Sequence, residues 1–333
     1  MNRNQGINRF YSLLKKLEDY QGKNISPERI SKYVNDIITT LDATLPSYLY
    51  KFRDPKPMHI DSLREEKLYL SKPAAFNDPT ESIAYVDPNE MVQHVFHFPN
   101  DAPVFNNPAG MDDDINNILK RTELLNAGLS YIQQNRERVK ILCLSETIDS
   151  PLMWSHYASE HRGFAIRYNT EIIDIPECND CDECKRCICR RPGKPLFPVI
   201  YKDSRYNASV MAITRALYLD MNNGVDDKQY PFPLLTVLQK SKVWDYEKEW
   251  RIVCDNTDTT FFTFKPDALF LGVRVELQTA LELAKIAKEK NIDLYKMEID
   301  YFDREFKLCY TDWSEFTESE IIEAVTHEEP NFG

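Results

Sequence analysis

The chain has 333 residues, 42% of them hydrophobic and 12% aromatic, and a formal net charge of −12. This length allows one large domain or two ordinary domains with a substantial core. The acidic balance argues against broad, non-specific binding to nucleic acid, which requires a basic surface. The chain has 9 glycines and no Gly-rich phosphate loop, which argues against Rossmann dehydrogenases and P-loop NTPases. No stretch has the length and apolar character of a membrane span, and no signal peptide opens the chain, so we expect a cytoplasmic protein that does not enter a membrane.

The first 46 residues have a helical pattern. Apolar residues recur every three or four positions from Phe10 and again from Ile30. The two amphipathic helices either cap the main domain or form an arm that binds a partner protein. We therefore divide the chain into a helical segment at 1–46, a main domain at 47–311 and an acidic, peripheral tail at 312–333.

The main domain contains short apolar runs that are typical of strands, separated irregularly by helical segments. Strands are predicted near residues 49–53, 139–144, 164–168 and 268–273. Because the helices do not alternate regularly with the strands, the order predicts an α+β fold and not repeated βαβ units.

The segment KVWDYEKEWRIVC, residues 242–254, has the most unusual mixture of charged and aromatic residues. Alternate side chains of a strand point to opposite faces. As a strand, this segment places Glu247, Glu249 and Arg251 on one face and Trp250 on the other. The charged face is then either a solvated surface or part of a functional site.

Five of the eight cysteines lie within twelve residues of a predicted insertion at 176–195; they are Cys178, Cys181, Cys184, Cys187 and Cys189. In a cytoplasmic chain, three successive C-x-x-C steps indicate thiolate metal ligands and not disulfides. We favour a structural zinc ion held by four of these thiolates. An iron–sulfur cluster and a metal-free loop are the alternatives. The basic residues that flank the cysteines also suggest a contact with nucleic acid or a partner protein.

Four motifs stand out in the main domain. They are LYKFR (49–53), FNDPTE (76–81), CLSE…MWSHYASEHRGFAIRY (143–168) and KVWDYEKEWRI (242–252). Together and in this order they resemble the bacterial domain-of-unknown-function family 2971, over roughly residues 49–275. The resemblance gives little information about activity, because the family's function is not characterised.

The order of the motifs also resembles, more distantly, that of ADP-ribosyltransferases. These enzymes have a cation or a histidine on the first core strand, a serine on a middle strand and Glu-x-Glu on a late strand. The resemblance implies a split mixed or antiparallel sheet and NAD as the substrate. It makes Glu249 and Glu247 the catalytic carboxylates, which stabilise an oxocarbenium-like transition state as the nicotinamide–ribose bond breaks. The NAD-binding residues that it implies are Tyr50, Lys51, Arg53, Asn77, Ser145, Trp154 and Tyr157.

Three functions therefore compete. The first is an NAD-using transferase or glycohydrolase, a bacterial toxin or anti-phage effector whose acceptor is a protein or a nucleic acid. The second is a sensor or adaptor without enzymatic activity, which binds partners through the N-terminal helices and the cysteine insertion. The third is a metal-dependent nuclease, with a divalent ion bound by Asp245, Glu247 and Lys248 or by Asp78 and Glu81.

Overall fold

The computed structural model of the chain describes residues 3–19, 27–42, 44–96, 113–173, 196–221, 232–255, 260–301 and 304–326. The five clustered cysteines, at positions 178 to 189, lie outside these ranges, so the zinc site stays a prediction.

The described helices are α1 (Arg3–Asp19), α2 (Pro27–Asp42), α3 (Pro57–Arg64), α4 (Pro88–Phe96), α5 (Asp113–Arg138), α6 (Pro151–Tyr157), α7 (Ser209–Met221), α8 (Phe232–Val237), α9 (Leu277–Lys290) and α10 (Glu318–Thr326). None of these helices combines the length and the apolar character needed to cross a bilayer. The described strands are β1 (Tyr48–Arg53), β2 (Lys67–Tyr69), β3 (Val139–Ser145), β4 (Phe164–Asn169), β5 (Leu196–Pro198), β6 (Ile200–Lys202), β7 (Gln239–Ser241), β8 (Glu249–Asp255), β9 (Phe261–Thr263), β10 (Ala268–Leu271), β11 (Asp293–Ile299) and β12 (Leu308–Asp312).

Eight of these strands form one mixed sheet. Their order is β12-β11-β10-β4-β1-β3-β8-β5. β10 and β11 run parallel, whereas the other neighbouring pairs are antiparallel. The predicted α+β class and the mixed sheet are therefore confirmed.

The sheet opens in its middle, between β1 and β3. Six residue pairs are in register between β1 and β4, and seven are in register between β3 and β8. Between β1 and β3 a single pair, Tyr50 and Ser145, is in register. Beyond that pair the segment after β2 enters the opening, where Ser71 and Ile141 exchange backbone hydrogen bonds of 2.9 and 2.8 Å. The two central strands therefore leave space between them.

The N-terminal helices pack on the main domain. Phe10 of α1 and Ile37 of α2 are fully buried in the same core as Leu142 of β3. At the other end of the chain, Trp313 and Ile321 are also buried in this core, so the described part of the acidic tail packs on the main domain too. Burial of these apolar faces is the arrangement expected of helices that cap a domain.

The turn after α6 requires close contact between backbones. Ser159, Glu160 and His161 all have positive φ angles, of 48°, 54° and 70°. Gly163 comes directly before β4, and a Cβ atom at this position would lie 2.1 Å from the carbonyl oxygen of Arg53. A second glycine, Gly272, packs directly against this turn. A Cβ atom at Gly272 would lie 2.1 Å from the carbonyl oxygen of His161. This turn fixes α6 against the sheet.

The Gly163→Ala substitution is expected to lower the free energy of unfolding by about 1–3 kcal/mol, because backbone must move to admit the methyl group. Urea unfolding measures the loss. Gly128→Ala in α5 is the matched control. Its Cβ would lie 3.0 Å from the backbone oxygen of Ala212, a contact relieved by a shift of a few tenths of an ångström, and a helical Gly→Ala change gains about 1 kcal/mol in propensity, so the net loss should be smaller than at Gly163. Equal effects of the two substitutions would contradict the contact described at Gly163.

Candidate functional site

A cavity of about 430 Å³ lies at the opening between β1 and β3. Its walls come from these two strands, from α3, from the segment after β2 and from the region around β8. The volume lies in the range of small-molecule sites, roughly 300–1,000 Å³. The predicted catalytic and NAD-binding residues that line the cavity are Tyr50, Lys51, Arg53, Asn77, Ser145, Tyr157, Glu247 and Glu249.

Trp154 is the one predicted NAD-binding residue that does not line the cavity. Its side chain is fully buried, its indole N–H donates to the carbonyl of Ile148 at 2.7 Å, and its ring packs edge-on against Phe52 at 5.2 Å. The stacking role implied for Trp154 is therefore corrected. The apolar spacing on α6 places this side chain in the core, where it holds the helix that carries Tyr157.

The segment that carries the two glutamates is only partly a strand. Lys242–Glu247 form a 3-10 helix, Lys248 is left-handed with φ 44°, and β8 begins at Glu249. The prediction of a continuous strand is wrong in its first half. A turn, and not strand alternation, brings Glu247 and Glu249 together.

The charged side chains of this segment are buried. Glu247, Glu249 and Arg251 have exposed fractions of 3%, 5% and 0%. The alternative of a solvated strand face is therefore wrong for these three residues. Two further residues complete the cluster, Glu81 and Lys240, which are also buried.

The cluster is a connected network of ion pairs. Arg251 donates through Nε and Nη2 to the two carboxylate oxygens of Glu249, at 2.9 and 2.8 Å, and it also pairs with Glu81. The Nζ atom of Lys240 lies 3.3 Å from carboxylate oxygens of both Glu81 and Glu249, and it pairs with Glu247 as well. Such a network stabilises a fold only as a complete unit, because any partner left alone is a buried charge.

Sequence reasoning considered Glu81 only as a metal ligand and missed Lys240. The signal for Glu81 was its place at the end of the FNDPTE motif. No local pattern distinguishes Lys240, which lies in β7 outside the motifs. Among the described residues, no group of three or more His, Cys, Asp or Glu side chains is arranged to hold a metal ion.

The two glutamates have opposite electrostatic environments. Burial raises the pKa of Glu249, but the charges of Arg251 and Lys240 outweigh it and hold this pKa well below its usual range. Burial and the negative charge of Glu249 raise the pKa of Glu247 to about 7. Glu249 is therefore a permanent anion committed to its ion pairs. Glu247 exchanges a proton near neutral pH, as a general acid or base must.

The carboxylate of Glu247 is held by Tyr157, which is itself held by Asn77. The hydroxyl of Tyr157 donates to Glu247 Oε1 at 2.5 Å and accepts from Asn77 Nδ2 at 3.1 Å. The turn that carries Asn77 is fixed by Asp78, whose carboxylate accepts from the backbone N–H of Thr80 at 2.8 Å. The FNDPTE motif therefore combines a rigid turn with a contact to the site.

Ser145 contacts the backbone of Glu247. Its hydroxyl donates to the carbonyl oxygen of Glu247 at 2.6 Å. The serine lines the cavity, but this hydrogen bond commits its hydroxyl to the turn before β8. The geometry makes Ser145 a positioning residue for Glu247.

Two cations of β1 line the cavity. Lys51 donates from Nζ to the carbonyl of Cys143 at 2.8 Å, across the opening of the sheet. Burial, and then the charge of Arg53, lower the pKa of Lys51 to about 8. Burial also lowers the pKa of Arg53. The cavity therefore has a carboxylate region at Glu247 and a cationic region on β1.

The raised pKa of Glu247 predicts a pH dependence of stability. Between the ordinary pKa of about 4.5 and the folded value of about 7, the folded state binds more protons than the unfolded state. The free energy of unfolding should therefore fall as pH rises from about 5 to 7, and Glu247→Gln should remove that fall. Urea unfolding at both pH values measures the difference. Asp245→Asn, in the exposed part of the same turn, should leave it unchanged, and a fall that persists in Glu247→Gln would contradict the assignment.

The fold and the site define an α+β protein with a small-molecule cavity at a break in its central sheet and a buried carboxylate–cation network beside it. Residues 153–252 match the model of the family described as Protein of unknown function (DUF2971), which confirms the predicted family resemblance over this segment. The segment includes Tyr157, Lys240, Glu247 and Arg251, whereas Lys51 precedes it. Searches of curated proteins and of solved structures found no significant match.

Proposed function

We propose that this protein is an ADP-ribosyltransferase-like or NAD glycohydrolase-like enzyme that cleaves the nicotinamide–ribose bond of NAD. The observation that supports the proposal is that Lys51, Ser145, Glu247 and Glu249 line a single cavity. The sequence motifs that contain them are separated by up to about 200 positions, and the resemblance to ADP-ribosyltransferases rests on their order. Convergence on one cavity is what a nicotinamide-cleaving site requires.

Glu247 is the reacting carboxylate in this proposal. As the glycosidic bond breaks, positive charge develops on the ribose, and an anion beside the anomeric carbon stabilises it. The same carboxylate accepts a proton from the ribose hydroxyl or from the attacking acceptor. Its pKa of about 7 suits both roles near neutral pH. Glu249 keeps Lys240 and Arg251 in place and adds negative charge beside Glu247.

The remaining cavity residues fit the other parts of NAD. Arg53 and Lys51 would contact the pyrophosphate, since guanidinium and ammonium groups form charge-assisted hydrogen bonds with phosphate oxygens. Tyr50 and Tyr157 would contact the nicotinamide ring from the two sides of the opening. These contacts place the bond to be broken between the cationic region and Glu247.

The acceptor of ADP-ribose is a protein, a nucleic acid or water. A cytoplasmic toxin or anti-phage effector is the biological role that we propose for such an activity. A structural zinc ion in the cysteine insertion, and a partner protein bound through the exposed parts of the N-terminal helices, remain parts of this proposal.

A sensor or adaptor is the second candidate, and one observation favours it. The buried network is complete without a ligand, because each of Glu81, Glu247 and Glu249 already has a cationic partner. Such a protein would bind a nucleotide without turning it over. The nuclease proposal has less support, because Glu247 is already paired with Lys240, and Glu81 with both Lys240 and Arg251.

Incubation of the full chain with labelled NAD and bacterial lysate tests these candidates. Release of free nicotinamide together with a labelled macromolecule supports a transferase, and release alone supports a glycohydrolase. Binding of NAD without release supports the sensor. Neither binding nor release, with EDTA-sensitive cleavage of nucleic acid, would replace the proposal by a nuclease.

A further inference from the structure

The region around the cavity contains two lysines with different surroundings, Lys240, which is buried, and Lys51, which is half-buried. Lys240 contacts three carboxylates, and these charges raise its pKa against the opposing effect of burial. Lys51 donates to one backbone carbonyl, and no ion pair joins it to a carboxylate within the described part of the chain. The charges of its three partners therefore keep Lys240 protonated, whereas at Lys51 burial and the charge of Arg53 outweigh the charges of Glu249 and Glu247.

Lys51 is one of the residues that line the cavity. It extends from β1 at the place where the sheet is open. Its neighbour on the same strand face, Arg53, is a second cation that lines the cavity. A desolvated lysine beside another cation is an environment that activates the amine as a nucleophile.

We propose that Lys51 is a nucleophile that forms an imine with the carbonyl group of a phosphorylated aldose bound in the cavity. Arg53 fits the phosphate of such a ligand, and the Lys51 amine then faces its open-chain aldehyde. This activity goes beyond NAD cleavage and does not depend on it, because the aldose itself is the substrate.

The imine forms in two balanced steps. The lone pair of the Lys51 nitrogen attacks the carbonyl carbon as the carbon–oxygen π bond breaks, and a proton passes from the nitrogen to the oxygen to give a neutral carbinolamine. The carbon–oxygen bond then breaks, the hydroxyl leaves as water with a proton from an acid, and the nitrogen–carbon double bond forms. Glu247 lines the same cavity and, with its pKa of about 7, supplies and takes back this proton near neutral pH. No electron is gained or lost.

The amount of neutral amine gives the expected size of the effect. With a pKa of about 8 in place of the ordinary 10.5, Lys51 has roughly 300 times more neutral amine at pH 7 than an ordinary lysine. A lower basicity also lowers the intrinsic nucleophilicity, so the gain in rate is smaller than this ratio. We expect Lys51 to react at least about tenfold faster than an exposed lysine.

Reductive trapping of the full chain tests the proposal. The protein is incubated with ribose 5-phosphate and cyanoborohydride at pH 7, and adducts are quantified by peptide mass spectrometry. We expect the adduct at Lys51 in at least tenfold excess over exposed Lys242, and its absence in Lys51→Arg with unchanged labelling of Lys242. Equal labelling of Lys51 and the exposed lysines, or no adduct at Lys51, would overturn the proposal. The ratio of the Lys51 adduct to the Lys242 adduct in the wild-type protein decides the result even if Lys51→Arg does not fold. NAD is absent from the assay, so failure of NAD cleavage leaves the outcome unaffected.

Discussion

Replacement of Glu247 by glutamine is expected to lower nicotinamide release from NAD by about 10²- to 10⁴-fold, the range for loss of a general acid or base. Glutamine has nearly the same shape and still accepts a hydrogen bond from Tyr157, but it has no negative charge to stabilise the ribose cation. The rate of the wild-type protein should rise with pH around 7, as Glu247 loses its proton. That rise should be absent from any residual activity of the variant.

Two further variants separate catalysis from structure. Asp245→Asn removes a carboxylate from the exposed part of the same turn, and it should keep the wild-type rate. Glu249→Gln removes the charge of one of the two carboxylates that pair with Arg251, so this variant should lose both activity and stability. Nicotinamide release is measured by chromatography and folding by circular dichroism. A folded Glu247→Gln variant with the wild-type rate would exclude Glu247 as the reacting carboxylate.

Substitution of Arg251 by methionine is expected to lower the free energy of unfolding by about 3–5 kcal/mol, the range for breaking a buried ion pair from one side. Arg251 has no exposed surface, and it pairs with both Glu81 and Glu249. Without it, the negative charge of the network exceeds what Lys240 alone can balance. Denaturant unfolding at pH 7 measures the loss.

The exposed pair between Arg162 and Glu160, with an N–O distance of 3.0 Å, is the matched control. Arg162→Met should cost no more than about 1 kcal/mol, because solvent screens this pair. Addition of Glu81→Gln and Glu249→Gln to Arg251→Met should recover part of the loss, since the unpaired charges are removed. Equal losses in the free energy of unfolding for Arg251→Met and Arg162→Met would show that the buried network stabilises the fold no more than an exposed ion pair does.

The sequence predicted the α+β class and the mixed sheet, and eight of the catalytic and NAD-binding residues that it singled out line the cavity. The strands around Lys51, Ser145 and Glu249 have clear apolar patterns, whereas the resemblance of their order to ADP-ribosyltransferases stays a prediction. The resemblance implied a split sheet, but the position of the opening between β1 and β3 could not be predicted from local patterns, because it depends on Ser71 replacing a strand neighbour beside Ile141. That replacement is a long-range backbone contact with no local signature.

The roles of the two glutamates could not be predicted either. The alternation of aromatic and charged residues before Glu249 imitates a strand, yet these residues form a 3-10 helix that ends at a left-handed Lys248. Lysine is an unusual residue at that position, where glycine is common. Lys240, which pairs with both glutamates, lies in a different strand and outside the four motifs. Sequence therefore placed Glu247 and Glu249 near each other but gave no reason to distinguish a titrating carboxylate from a paired one.

The most direct test of the central claim is a crystal structure of the Glu247→Gln variant grown with saturating NAD, because a slowed enzyme retains the intact substrate. The account predicts NAD in the cavity between β1 and β3. The anomeric carbon of the nicotinamide ribose should face position 247, and the phosphates should contact Arg53. An empty cavity, or NAD bound at another surface of the folded protein, would contradict it.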